Sequence, residues 1–428
     1  MRIAVVGASV AGVAACEAVR AAGFEGDLEL IGAEDHAPYD RPPLSKQLLL
    51  GVQQPADIVL RPPEELAALG LRERRGRAAE GLDVPARELV LAGGERIGFD
   101  GLVIATGSQA RRLRGQPEIP GVHLLRTLED ALAVRAGLGD ARRVVIVGAG
   151  FIGLEAASCA LEMGIEAVVL ETAPEPMGRL LPARVGRLFA ALHRGRGVDV
   201  RCGVQVTGIE AADEAVRGVR LASGELLDAD LVLIGVGAAP CTQWLAGSGL
   251  TVEDGVRCDA ALRAGPGIYA AGDVARWPHP LFGDLRVEHW STANDHGRTA
   301  GTNLVHELAG AAADERAVSS EVPYFWSDQL GHKIQLTGWS PSATRTAIAV
   351  DRGRVLALLG QGDRLVAALG VDAVKSLALH RRKIATGVSF DEAVAAAPGE
   401  PVEPEELTAA FEAGWGGIHA PAPRGGAA

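Results

Sequence analysis

A short apolar run, a glycine-rich turn and an alanine-rich helical stretch occur twice in this chain, and that repeat constrains the fold more than any other feature. The first copy passes from Arg2–Val6 into Gly7-Ala8-Ser9-Val10-Ala11-Gly12, on to about Ala22, and then to a second apolar run, Asp27–Ile31. The second passes from Arg143–Val147 into Gly148-Ala149-Gly150-Phe151-Ile152-Gly153, a helix to about Met163 and a strand over 167–170. Each is a strand–turn–helix–strand unit of about 30 residues. The glycines permit a tight turn and close approach of the backbone to a phosphate, and the helix start offers N–H groups and partial positive charge to a pyrophosphate. An acidic residue about 20 residues on accepts hydrogen bonds from ribose hydroxyls. The second copy is complete, with Gly148, Gly150, Gly153 and Glu171. The first has Ser9 at the middle position, where a Cβ narrows the approach to phosphate but a hydroxyl can donate to it, and its acid, Glu34, is displaced behind Ala33. Two such turns in the right context predict two dinucleotide-binding folds in tandem rather than turns that bind nothing.

At 428 residues the chain exceeds one domain. Its 48% hydrophobic and 22% charged residues exclude a largely disordered chain. The 55 glycines have no three-residue period, which excludes collagen. A net charge of −12 argues against a general nucleic-acid binder. The longest apolar run, about 144–154, is too short to span a bilayer. The stretch from Arg2 to Cys16 has the outline of a lipoprotein signal, but it holds one charge and is better explained as a strand entering a phosphate-binding turn. A cytoplasmic location without membrane attachment is expected. Cys16, Cys159, Cys202, Cys241 and Cys258 contain no CxxC spacing and read as small buried hydrophobes in a reducing compartment.

Beyond the repeat, Gly101-Leu102-Val103-Ile104-Ala105-Thr106-Gly107 is a strand entering a turn, echoed by Leu231-Val232-Leu233-Ile234-Gly235-Val236-Gly237 and followed by Ile268-Tyr269-Ala270-Ala271-Gly272-Asp273. After about residue 319 aromatics cluster in Pro323-Tyr324-Phe325-Trp326, and alternating segments at 333–337 and 355–359 predict an antiparallel sheet. From Pro398 onward Pro, Glu and Gly dominate, and the last nine residues read as disordered. In Pro38-Tyr39-Asp40-Arg41-Pro42-Pro43-Leu44-Ser45-Lys46 the double proline fixes a rigid segment that holds Arg41 and Lys46 past the first turn. A lysine fixed near a flavin ring would stabilise its anionic reduced form. His279, His289, His296 and His332 lack metal-ligand spacing and read as surface or satisfied histidines, so no metal is expected. Met163 and Met177 read as packing residues. His380-Arg381-Arg382-Lys383 reads as a solvated face or a patch for an acidic partner.

From residue 1 to about 395 the chain resembles bacterial oxygenase-coupled ferredoxin reductases of the putidaredoxin reductase and biphenyl-dioxygenase reductase type, within the glutathione-reductase-like flavoprotein superfamily. The residues that carry the resemblance are the 39–46 segment, Leu125-Arg126-Thr127-Leu128-Glu129-Asp130, the 270–273 segment and Tyr324-Phe325-Trp326-Ser327-Asp328-Gln329, where Tyr324 replaces a common Trp. The resemblance implies an α/β chain with two Rossmann-like dinucleotide-binding domains and a C-terminal α+β interface domain. The FAD domain would occupy 1–112 and 245–318, the NAD domain 113–244, the interface domain 319–400, and a partly disordered tail 401–428. Ala11 and Ala79 would touch FAD by backbone, Lys46 would lie near the flavin ring, Arg126 would contact the cofactor, and Asp273 would accept from the ribityl chain at a helix N-terminus. Trp290 would contact the isoalloxazine or serve core packing. Gly7, Ser9, Gly12, Glu34, Arg41 and Thr106 complete the FAD set. Glu155 would sit near the nicotinamide and Glu171 would hold the adenosine ribose of NADH, with Gly148, Gly150, Gly153 and Gly237 around them. Trp326 would lie between flavin and protein surface. Lys46, Glu155 and Trp326 are the candidate catalytic residues.

The function so implied is hydride uptake from NADH by FAD and one-electron transfer to a 2Fe–2S-type ferredoxin that feeds an oxygenase. That ferredoxin would dock near Trp326 and the C-terminal domain of a monomer or dimer. The competing classes are an NADH oxidase, peroxidase or disulfide reductase, and a redox flavoprotein like apoptosis-inducing factor without a ferredoxin partner. The peroxidases and disulfide reductases need a cysteine against the flavin, just after the first turn, and residues 32–60 contain none.

Overall fold

A computed structural model describes residues 1–415. They form two compact units, each discontinuous in sequence: residues 1–41, 55–109 and 238–323 make the first, and 42–54, 110–237 and 324 onward make the second.

The first unit is built on a six-stranded sheet in the order Arg263–Gly265, Ile268–Ala270, Gly101–Ile104, Arg2–Val6, Asp27–Ile31, Arg72–Arg74. All but the first of these run parallel, with Ile3 beside Leu28 on one side and Gly101 on the other. The central strands are buried almost throughout, which is why they are continuous apolar runs instead of alternating ones. Antiparallel strands Ala79–Asp83, Glu88–Leu91 and Arg96–Gly98 bury Leu82, Leu89, Leu91 and Ile97 in one core with Ala4, Val6, Leu102 and Ile104. The helix Val10–Ala21 packs along the helix Trp290–Leu308 at backbone contact. A Cβ at Gly297 would stand 2.3 Å from the carbonyl oxygen of Ala11, and one at Gly301 would stand 2.5 Å from that of Ala15.

The second unit holds a five-stranded parallel sheet, ordered Asp199–Cys202, Glu166–Glu171, Arg143–Val147, Leu231–Ile234, Val122–His123. One face packs Val145, Val147, Val168 and Leu170 against Val219, Leu221 and Leu227 of a small antiparallel sheet. The motif around Arg126 starts the helix Leu128–Asp140 with a capping box: the Thr127 hydroxyl accepts from Asp130 N–H at 3.1 Å, and the Asp130 carboxylate accepts from Thr127 N–H at 2.9 Å. The same unit carries a six-stranded antiparallel sheet in the order Tyr324–Gln329, His332–Gly338, Arg364–Val371, Arg354–Gln361, Arg345–Asp351, Glu400–Pro401. The helices Val374–Ala385 and Phe390–Ala395 lie against it. Two parallel α/β sheets and a C-terminal α+β part are the fold class that the repeat and the resemblance imply.

Past residue 400 the composition gave no regular element, yet Pro404–Glu412 is a helix with proline in its first turn. It buries Leu407 and Phe411 and lies so close to the end of the helix Ala183–Arg194 that a Cβ at Gly195 would stand 1.9 Å from the Phe411 carbonyl oxygen. Residues 416–428, including the stretch read as disordered, lie outside the described residues. Among the described residues no helix is long and apolar enough to cross a membrane.

Gly301→Val places two methyl groups against the Ala15 backbone. We expect it to lower unfolding free energy by about 1–3 kcal/mol. Arg298→Ala, on the exposed face of the same helix, is expected to stay within about 0.5 kcal/mol. Denaturant titration of the two variants checks this, and equal midpoints would contradict the close-contact reading.

Candidate functional site

Both glycine turns obey the same steric rule. Gly7 and Gly148 have φ of +118° and +110°, and a Cβ there would stand 2.0 Å from the Ala105 oxygen or 2.3 Å from the Gly235 oxygen. A Cβ at Gly12 would meet the Gly7 oxygen at 1.8 Å, and one at Gly153 would meet the Gly148 oxygen at 2.1 Å. The middle position differs. Ser9 and Gly150 are both extended residues before a helix, with φ of −124° and −79°, so neither backbone needs glycine. A Cβ at Gly150 would meet no protein atom within 4 Å, which leaves the backbone open to a ligand. Neither helix start has a side-chain cap or an acidic residue in its first turn, so both present positive partial charge.

The acids that follow are held differently. Glu171 accepts from Ala149 N–H at 2.8 Å and from Ala173 N–H at 2.9 Å, tying the strand end to the turn. Glu34 accepts from the Tyr39 hydroxyl at 2.5 Å and from Arg41 at 2.7 Å, and Arg41 also donates to the Ser9 hydroxyl. Arg41 thus bridges the displaced acid to the serine that replaces glycine, and its buried Nε has no hydrogen-bond partner. Both cradles fit a bound dinucleotide.

Around the first turn, Thr106 donates to the Cys241 carbonyl at 2.8 Å and Ser108 donates to Asp273 at 2.8 Å. Asp273 lies in a three-residue 3-10 turn, Gly272–Val274, that runs into a strand. The helix N-terminus expected there is found at Trp290, where α-helix begins. The indole of Trp290 donates to Asp40 at 2.5 Å. Ala11 lies in the helix–helix contact, and Ala79 opens the antiparallel strand Ala79–Asp83.

Lys46, Arg126, Glu155 and Trp326 belong to the second unit, with Gly148, Gly150, Gly153, Glu171 and Gly237. Lys46 and Glu155 form an ion pair of 3.0 Å, at 7% and 3% exposure. Burial pushes the Glu155 carboxyl above the ordinary range, and the Lys46 charge and hydrogen bonds from Ser327, Ser45 and Lys46 oppose it. The sequence pointed to Lys46 and Glu155 separately, without pairing them, and gave no role to Ser45, Ser327 or Gln329; all three stand inside quoted motifs, yet nothing in a linear pattern shows which hydroxyl reaches a distant carboxylate. Arg179 Nη1 would stand 3.7 Å from a Cβ on Gly237, just past the strand Leu231–Ile234. That strand is two strands from the one ending in Glu171, or roughly 10 Å. Trp326 stacks with Tyr324 at 6.1 Å, and the Arg381 guanidinium lies 5.8 Å over the Tyr324 ring.

The histidines read as surface or satisfied residues are buried. His289 is held down to about 4 and His296 to about 3 by desolvation, while His332 pairs with Asp372 at 2.8 Å. Among the described residues no group of three His, Cys, Asp or Glu side chains is arranged to hold a metal ion. The Cys16 thiol is fully buried and burial pushes it up to about 12, as it does those of Cys159 and Cys258.

Comparison with known proteins places this geometry. The rhodocoxin reductase of Rhodococcus erythropolis is 34% identical over 379 residues, covering 87% of this chain and 86% of its own. The ferredoxin–NAD(+) reductase component of the p-cumate 2,3-dioxygenase system of Pseudomonas putida is 34% identical over 406 residues, covering 91% and 94%. A crystal structure of the covalent putidaredoxin reductase–putidaredoxin complex matches with TM-score 0.84 at 29% identity, covering 96% of this chain and 97% of that one. Residues 1–297 match the family described as pyridine nucleotide-disulphide oxidoreductase, and residues 324–404 match the reductase C-terminal family. The chain therefore belongs to the pyridine nucleotide-disulphide oxidoreductases that end in a reductase C-terminal domain.

Proposed function

We infer that this chain is an FAD-dependent NADH:ferredoxin reductase, an oxidoreductase that serves an oxygenase. One observation carries the choice within the family: two dinucleotide turns are present, while residues 17–158, past the first turn's helix start, contain no cysteine, and Cys16 is fully buried with a thiol pushed up to about 12. The place just after the first turn, where peroxidases and disulfide reductases carry their redox cysteine, holds no thiol, which favours an outside electron acceptor. The relatives' names point to its class, a ferredoxin, and we propose a small 2Fe–2S-type one.

Bound FAD supplies hydride acceptance and one-electron release. The residues proposed to hold it in the first unit are the turn Gly7, Ser9, Ala11 and Gly12 with Arg41 at the pyrophosphate, Glu34 at the ribose, and Thr106, Asp273, Ala79 and Trp290 beyond. In the second unit, Gly148, Gly150 and Gly153 receive the NADH pyrophosphate, Glu171 the adenosine ribose, and Gly237 leaves the sheet edge open. Glu155 and Lys46 keep a fixed, paired charge near the nicotinamide. Trp326, stacked on Tyr324 with Arg381 across it, marks the strand on which the ferredoxin docks. Arg381 and Arg382 give that side positive charge for an acidic partner.

Trp326→Ala is expected to slow NADH-driven ferredoxin reduction far more than ferricyanide reduction. Ferredoxin reduction should also weaken with salt, because exposed charges are screened beyond about 8–10 Å. Equal slowing of both acceptors by the substitution would remove Trp326 from the docking strand's role.

NADH is expected to be preferred over NADPH by at least about a hundredfold in kcat/KM, since a 2′-phosphate at Glu171 would oppose two negative charges. Arg179 lies at Gly237, two strands from Glu171, too far to pair with a 2′-phosphate there. The ratio of kcat/KM for the two nucleotides decides it, and a ratio near one would defeat the assignment of Glu171.

Replacing each cysteine by Ala or Ser should keep NADH–ferricyanide turnover within about tenfold, or about 1.4 kcal/mol of barrier. A loss of several orders of magnitude at any single position, with FAD still bound, would restore a thiol mechanism.

A further inference from the structure

Lys46, Ser327 and Ser45 converge on Glu155. Its Oε1 accepts from Lys46 Nζ at 3.0 Å and from the Ser327 hydroxyl at 2.5 Å, and its Oε2 accepts from the Ser45 hydroxyl. Ser327 Oγ itself accepts from Gln329 Nε2 at 2.9 Å, which commits the serine proton to the carboxylate. Ser327 is 0% and Gln329 1% exposed, so water does not compete for either side chain. Lys46 and Ser327 both commit protons to Oε1 and Ser45 bonds Oε2, a set that suits an ionised carboxylate.

We propose that Ser327 and Gln329 are positioning residues of the hydride-transfer site: they hold Glu155 ionised and paired with Lys46, and so make the charge state of that buried pair depend on the strand Tyr324–Gln329 that also bears Trp326. The proposal rests on the assignment of Lys46 and Glu155 made above and deepens it. Along a strand, neighbouring side chains point to opposite faces. Ser327 turns to the ion pair, and Trp326 and Asp328 turn away from it, Asp328 to Lys333 at 3.2 Å.

The charged and titratable groups facing Glu155 are few. Lys46 comes from the segment after the 3-10 turn Pro42–Ser45, and Cys159 comes from one turn along Glu155's own helix, its thiol neutral. The strand Tyr324–Gln329 contributes Ser327 and Gln329, both neutral. The strands Arg143–Val147 and Glu166–Glu171, which pack under the helix, carry charge only at their ends, on Arg143, Glu166 and Glu171. The ionised state therefore depends on one cation and a few hydrogen bonds, and removing one charge-assisted bond is expected to raise the Glu155 titration by about one to two pH units.

Thermal unfolding of the full-length holoenzyme across pH reads this without any electron acceptor. A carboxyl whose folded pKa stands above its unfolded value near 4.5 costs stability as pH rises between the two. Ser327→Ala widens that gap. Its deficit in melting temperature relative to the native protein is expected to grow at least about twofold from about pH 5 to about pH 8. Gln329→Met should show the same trend, smaller, and keeps the test available if Ser327→Ala does not fold. In a Glu155→Gln background the deficit of either variant should no longer change with pH. A deficit that is equal at every pH, or one whose pH dependence survives Glu155→Gln, would overturn the proposal and leave Ser327 a packing residue. Failure to reduce a ferredoxin would instead refute the functional reading and would leave this profile unchanged.

Discussion

Lys46 and Glu155 leave water together, with side chains 9% and 4% exposed. Removing charges from water costs several kcal/mol per ion, repaid only when the geometry is good and the remaining donors and acceptors are satisfied, and removing one partner costs more than never having buried the pair. Three distant pieces of sequence must meet to satisfy it: the 42–54 segment, the helix Phe151–Glu162 and the strand Tyr324–Gln329. Cys159 adds to the same assembly by donating to the Ser45 and Lys46 carbonyls at 3.4 and 3.6 Å. The 42–54 segment follows the first turn in sequence but is bound into the second unit, where the ion pair with its two serines is among the contacts that hold it.

The two turns share their outer glycines because the same clash enforces them, a Cβ against a backbone oxygen at about 2 Å. They diverge where no clash operates. At Ser9 the side chain is linked through Arg41 to Glu34 and Tyr39, a pinned polar cluster with part of its donor capacity unspent. At Gly150 there is open space, and the side-chain anchor of the turn is Glu171 on its own backbone. The first arrangement suits a resident cofactor held by many fixed groups, and the second a coenzyme that enters and leaves.

What a linear sequence shows follows from how local the cause is. Arg2–Val6, Asp27–Ile31 and Arg143–Val147 are legible because a strand buried on both faces must be apolar throughout, and the turns are legible because only glycine survives at Gly7 and Gly148. Asp273 was placed at a helix start by the resemblance alone; the chain instead makes a single 3-10 turn there and continues as a strand. The helix Pro404–Glu412 was hidden because its nine residues are held by tertiary packing of Leu407 and Phe411, which composition does not report. Of the two readings of the histidines near residues 279–296, surface or satisfied, the buried and hydrogen-bonded one holds for His279 and His296, because burial depends on which face of a helix or strand meets the core. Ser327 and Gln329 were invisible for the same reason in sharper form: a serine's partner 172 positions away leaves no local trace.

The discontinuity of the units sets an order of events during synthesis. Residues of the first unit end at Pro323, whereas the second still lacks its last strands and the helix that covers Ala183–Arg194. At about 5–20 residues per second the ribosome needs on the order of ten seconds to supply them. Through that interval Glu155 has Lys46 but not Ser327, and an apolar helix face waits for Leu407 and Phe411. The nascent chain thus holds all the residues of its first unit while the second still lacks the strand and helix that close its ion pair and its apolar helix face.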